Sequence, residues 1–143
     1  MATNVISTQY NTASNHTTLQ KTTELVGRGL LATLFLGSGL SKIGAYSATA
    51  GYMASVGVPG ALLPAVIALE VLGAIAIIAG WQTRLTAFLL AGFTLVTGFL
   101  FHNNFADQTQ MIMFMKNVAI TGGFLTLVAN GAGPLSVDRL LQK

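Results

Sequence analysis

The sequence predicts an all-α integral membrane protein, a bundle of four transmembrane helices. Only 8% of the 143 residues are charged, whereas 52% are hydrophobic, and the mean hydropathy is +0.67. A soluble domain carries about 25% charged residues to cover its surface, so lipid must be the solvent for much of this one. Four segments approach the roughly 20 apolar residues that cross a bilayer as a helix. Their polar residues do not gather on one face at the 3.6-residue period of a solvated helix.

Residues 1–23, MATNVISTQYNTASNHTTLQKTT, are rich in Thr, Asn and Ser, with Lys21 their single charge. Such a stretch cannot bury enough apolar area to fold alone and is expected to be a disordered polar tail. It has neither the basic start and apolar run of a signal peptide nor the Arg content of a transit peptide. Residues 24–143 are expected to form the membrane domain, with spans at about 25–43, 61–80, 85–101 and 111–129. A longer connection, 44–60, joins the first two spans. The second and third are joined only by Trp81 to Arg84, which forces them to be antiparallel neighbours. Pro64 falls in the first turn of the second span, where its missing N–H breaks no helical bond. Tyr46, Tyr52 and Trp81, near span ends, read as an interfacial aromatic belt.

With an even number of spans both termini share a side, and that side carries Lys21, Arg28, Arg84, Arg139 and Lys143. The opposite side carries Lys42, Asp107 and Lys116. The positive-inside rule then puts both termini in the cytoplasm. The net charge of +3 is a topology signal and not a nucleic-acid footprint, because no Lys/Arg cluster or aromatic platform accompanies it.

The chain has no cysteine and two histidines, His16 and His102. It therefore has no thiols of its own for disulfide relay or for thiolate-held metals and iron–sulfur clusters, and two distant histidines make no metal site. No cofactor is bound by a motif of the chain's own, and a quinone from the bilayer is the redox cofactor that suits it.

Within AVIALEVLGAIAII, residues 65–78, Glu70 is the single charge. Counting along the second span at 1.5 Å per residue puts it near the bilayer midplane. There an ionised carboxylate must be paired or protonated. Arg28 and Lys116 are deep in the first and fourth spans, and a buried network of Arg28, Glu70, Lys116 and Asn117 is expected. Lys42, His102, Asn103 and Asp107 converge on one rim and form a second candidate site. Thr33, Gly37 and Ser41 in the first span, Thr94, Gly98 and His102 in the third, and Lys116, Gly123 and Asn130 in the fourth recur on one helix face each. Such small and polar stripes suit close helix packing or a cavity wall. The alternation of Met111, Met113 and Met115 follows no helix face and reads as adaptable packing.

The first span ends in GSGLSKIG, and a connection ATAGYMASVGVP follows. LEVLGAIAIIAGWQTR, FHNNF, MKN and the tail GAGPLSVD then occur in that order. Together they resemble the DoxX family of small bacterial inner-membrane proteins, over about residues 25–141. The matching polar positions are Arg28, Lys42, Gly57, Pro59, Glu70, Arg84, Lys116, Asn117, Ser136 and Asp138. The resemblance implies a four-helix inner-membrane protein and a link to membrane oxidoreductase systems that use quinones. A redox-protein partner would then supply the electrons, and homo-oligomers are also compatible with it. The reading is a quinone- or redox-linked membrane subunit in which Glu70 and its cation move protons, with no self-contained catalytic motif. One alternative is a small proton-coupled transporter built around Glu70. The other is a non-catalytic scaffold in which the charge network only fixes helix register.

Overall fold

A computed structural model describes residues 17–142, and every element among them is helical. Helix α1 spans Thr18–Gly44, α2 Tyr46–Ser55, α3 Leu63–Ala79, α4 Thr83–Phe101, α5 Gln108–Asn130 and α6 Val137–Leu141. A 3-10 turn, Gly60–Leu62, leads into α3. Among the described residues, three helical stretches are long and apolar enough to cross a membrane: Gly60–Ala79, Thr83–Phe101 and Gln108–Asn130. The fourth long helix, α1, has 27 residues, but Arg28 and Lys42 interrupt its apolar run.

Helix α1 begins seven residues ahead of the expected span, because Thr17 and Gln20 form a capping box. Gln20 N–H donates to Thr17 Oγ1 at 3.2 Å, and Thr17 N–H donates to Gln20 Oε1 at 2.9 Å, satisfying two amides that a helix start leaves free. The expected polar tail thus gives way to helix at Thr18; its earlier residues, 1–16, lie outside the described residues. The connection between the first two spans also holds more order than a loop. It carries α2, which Gly60 meets where a Cβ would stand 3.2 Å from Ala50 Cβ.

The long helices pack as antiparallel neighbours, α1 against α3, α3 against α4, and α4 against α5. Their shared core is Ala32, Phe35, Ala74, Ile77, Ala87, Leu90, Ala91 and Phe124, with Phe35 and Phe124 edge to face at 5.2 Å. Small residues let the backbones approach: Gly73 lies against Leu90, and Gly39 of α1 against Glu70 and Val71 of α3. Large apolar side chains such as Leu30, Leu72, Phe88 and Phe99 point outward. An apolar exterior, with alanines and close-packed glycines where the helices meet, fits a bilayer.

One expected packing face is corrected. Thr33, Gly37 and Ser41 are exposed, and the buried face of α1 is Arg28, Ala32, Phe35 and Gly39. The close approach to α3 is instead made at Gly39, on the buried face. The α4 stripe does pack inward, since Thr94 is buried and Gly98 receives Asn117, whose Cβ would stand 3.1 Å from an added Cβ. On α5 the proposed stripe divides. Gly123 meets Leu31, while Lys116 and Asn130 are exposed.

Candidate functional site

Glu70 is almost fully buried, at 3% exposure, and its partner is Lys42. The Lys42 ammonium lies 2.9 Å from both carboxylate oxygens and 2.5 Å from Ser38 Oγ. Ser38 in turn donates to Glu70 Oε1 at 3.2 Å. An ammonium has three N–H donors, so Lys42 is fully engaged by this triad. Ser38 and Lys42 are one helical turn apart on α1 and therefore share a face.

Arg28 and Lys116, the expected partners of Glu70, do not reach it. Helical register decides the matter. Glu70 is level with Gly39, and Arg28 is eleven residues before Gly39, about 16 Å along the helix axis. Lys42 is one turn beyond Gly39, within reach of an extended side chain. Lys116 lies on the exposed side of α5, its Nζ 3.8 Å from Met113 Sδ.

The triad stands in the wall of a cavity of about 390 Å³. Most of the lining is apolar, contributed by α1, α3 and α4, and the polar groups are few: Ser38, Lys42, Glu70, His102, Asn117 and several threonines. His102 is half-buried, with Nδ1 2.8 Å from Gln110 Oε1. Helix α2 covers one end of the cavity through Thr49, Tyr52 and Met53. Tyr52 is fixed there by its ring contact with Phe101, at 5.5 Å between centroids.

The two groups of candidate residues are thus redistributed. Glu70 and Asn117 from the expected network, and Lys42 and His102 from the expected rim, line one cavity. Asn103 and Asp107 do not. Asn103 is an exposed loop residue, and Asp107 caps α5 by accepting from the N–H groups of Thr109 at 2.7 Å and Gln110 at 3.2 Å. Sequence reasoning passed over Ser38, whose four-residue spacing from Lys42 is the signal that could have revealed it. Tyr52, expected only at the membrane interface, also lines the cavity.

Arg28 belongs to a different structure at the far end of the bundle. Its guanidinium is buried and donates to Leu135 C=O at 2.6 Å, and the charges of Glu24 and Asp138 flank it. An added Cβ on Gly80 would overlap Arg28 and Ser136, and one on Gly133 would overlap Glu24. Asp138 locks the turn between α3 and α4, accepting from Gln82 N–H at 2.7 Å and Thr83 N–H at 2.9 Å. Gln82 has a positive φ of 48°, a conformation that costs a side-chain-bearing residue roughly 1–2 kcal/mol, and these hydrogen bonds offset it. Partial burial pushes the Asp138 carboxyl up, but hydrogen bonds from Thr83 and Gln82 and the charge of Arg28 outweigh it and hold the group below its usual range. The tail GAGPLSVD is therefore a clasp that closes the bundle.

Comparison with known proteins agrees with this architecture. The family model described as DoxX matches residues 23–103. The inner membrane protein YqjF of Escherichia coli (strain K12) is 53% identical over 119 residues, covering 83% of this chain and 92% of the relative. The inner membrane protein YphA of the same strain is 39% identical over 123 residues, covering 80% and 87% respectively. No solved structure matches the chain.

Proposed function

The chain belongs to the DoxX family, and from that premise we propose that it is an inner-membrane protein whose cavity beside Lys42 and Glu70 holds a quinone for a redox process. One observation carries the reading: a mostly apolar cavity of about 390 Å³ has a buried acid–base pair in its wall. Small-molecule sites combine such apolar walls with a few placed polar groups. The apolar walls suit the ring and first prenyl unit of a quinone. His102 and Asn117 offer hydrogen bonds to its carbonyl oxygens, and the partly accessible Lys42 ammonium presents its positive charge to them.

A quinone bound there would supply two-electron, two-proton redox chemistry, with the electrons delivered by a redox-protein partner. The chain's own residues bind and orient the ring, exclude water and hold a proton. The Lys42 side chain and the Glu70 carboxylate face each other at 2.9 Å in the cavity wall. Were a quinone bound, Lys42 would set its charge beside a ring oxygen, with Ser38 and Glu70 holding the ammonium in place.

The same pair weighs against the transporter reading, because the carboxylate that would bind a cationic substrate already holds an internal cation. It leaves the scaffold reading as the competitor. Both inner-membrane relatives favour the same cellular location, and the Lys/Arg distribution favours cytoplasmic termini.

Two tests address the two halves of this proposal. For the ligand, the purified full-length chain in nanodiscs is titrated with a short-chain ubiquinone analogue. Saturable binding that weakens in Lys42→Met is expected; binding that Lys42→Met leaves unchanged refutes the assignment. For the partner, mild detergent extraction from the native membrane should bring down a flavin-, haem- or sulfur-handling protein in stoichiometric amount. A chain that comes out alone or only as a homo-oligomer would contradict the redox-partner half.

A further inference from the structure

At the end of the bundle away from Lys42, a second cavity of about 610 Å³ opens where α3 turns into α4 and α5 gives way to α6. Its lining includes Lys21 from the start of α1, Arg84 from the start of α4 and Arg139 from α6. Three cations from three distant parts of the chain thus face one cleft. Among the described residues the lining holds a single carboxylate, Asp138, and both of its oxygens are already taken by the backbone of Gln82 and Thr83. Among the described residues, too, the ion pair between Lys42 and Glu70 leaves Lys21, Arg84 and Arg139 without a carboxylate in salt-bridge range.

The backbone at the end of α5 runs beside one of these cations. Gly131 has φ of 79°, and a Cβ there would stand 3.5 Å from Arg84 Nε. The positive φ favours glycine there, and the Arg84 guanidinium lies alongside at ordinary contact distance. Leu85 and Leu141, both largely exposed, also line the cleft. The cleft is thus cationic with apolar neighbours, at the level where a membrane helix leaves the hydrocarbon.

We propose that this cleft binds the phosphate group of an anionic phospholipid. Arg84 and Arg139 supply planar donors suited to phosphate oxygens, and Lys21 supplies a point charge. The exposed leucines receive the beginning of the acyl chains. Basic pockets among membrane helices hold anionic headgroups by this combination. The occupant would brace the clasp of α6 from outside, since Arg139 follows Asp138 directly. If the termini are cytoplasmic, the site faces the leaflet with the inner surface potential.

Native mass spectrometry of the full-length chain in detergent, titrated with phosphatidylglycerol or phosphatidylcholine, tests the proposal. Wild type is expected to retain phosphatidylglycerol in preference to phosphatidylcholine. Arg84→Gln and Arg139→Gln should each weaken retention about fivefold, and the double variant about 25-fold. Lys116→Gln removes the same charge from an exposed position at the opposite end and should leave retention unchanged, and Arg84→Lys should restore part of it. Equal retention of the two lipids, or a double variant that binds like wild type, overturns the proposal. Displacement of bound phosphatidylglycerol by millimolar inorganic phosphate would instead make a soluble phosphate compound the occupant and overturn the lipid assignment.

Discussion

Lys42 and Glu70 are joined across α1 and α3 by an ion pair in which one ammonium lies 2.9 Å from both oxygens of a carboxylate that is 4% exposed at its side chain. Lys42 itself keeps 23% of its side-chain surface accessible. The pair therefore stands between packed interior and cavity, where it can both hold two helices in register and meet a ligand.

Breaking the pair from one side leaves an uncompensated charge in an apolar setting. Glu70→Gln and Lys42→Met are each expected to destabilise the chain by about 3 kcal/mol, near the low end for buried pairs because Lys42 is partly accessible. The double variant Lys42→Met/Glu70→Leu should unfold close to wild type while losing ligand binding. Thermal unfolding in detergent, followed by circular dichroism, reads the first effect. A double variant that keeps binding would favour the scaffold reading.

Gly39 sets the distance between the two helices that carry the pair. A Cβ there would stand 2.7 Å from Val71 Cγ2 and 3.2 Å from Glu70 Cβ, so Gly39→Ala should cost about 1–3 kcal/mol by overpacking. Two residues earlier, Gly37 has no atom within 4 Å of an added Cβ. Gly37→Ala should be neutral or stabilise by up to about 1 kcal/mol. The opposite signs, measured side by side, check the assignment of the packed face.

Arg28 holds the tail in place. Arg28→Leu removes the donor to Leu135 C=O and the positive charge between Glu24 and Asp138, at an expected cost of about 3 kcal/mol. Tryptic cleavage after Arg139 should accelerate, because the clasp of residues 131–142 opens more often. An unchanged cleavage rate would contradict the clasp.

Asp138 gives that clasp a pH dependence. Its carboxyl is held below the usual value, so the stabilisation is full above the unfolded value of about 3.9 and is lost as pH falls through the lower folded value. Asp138→Asn should cost about 1 kcal/mol at neutral pH, as for a lost helix cap. The stability gap between wild type and variant should stay constant above about pH 5 and close as the pH drops below about 4. Unfolding midpoints of both proteins across that range provide the check.

The helices were legible because long apolar runs leave few options for a backbone that must satisfy its own hydrogen bonds in lipid. The start of α1 was also written in the chain, as the Thr17 and Gln20 capping box, although overall polarity pointed to disorder. Helix α2 was not legible, since its N-cap, Ala45, offers no side-chain hydrogen bond. Glu70 announced itself as a lone carboxylate in an apolar run, but its partner did not. Choosing Lys42 over Arg28 depends on how far α1 slides along α3, and the contact of Gly39 with Val71 settles that only in three dimensions. For the same reason, residues read as two separate groups meet in one cavity.

The most direct test of the central claim is photolabelling of the full-length chain in membranes with an azido-quinone, followed by mass-spectrometric mapping of the labelled residues. Labelling confined to the cavity lining, around Tyr52, Glu70 and Phe101, and abolished both by excess unlabelled quinone and by Lys42→Met, is the result expected. Labelling spread over the outward-facing residues of α4 and α5 and unaffected by competitor would contradict it.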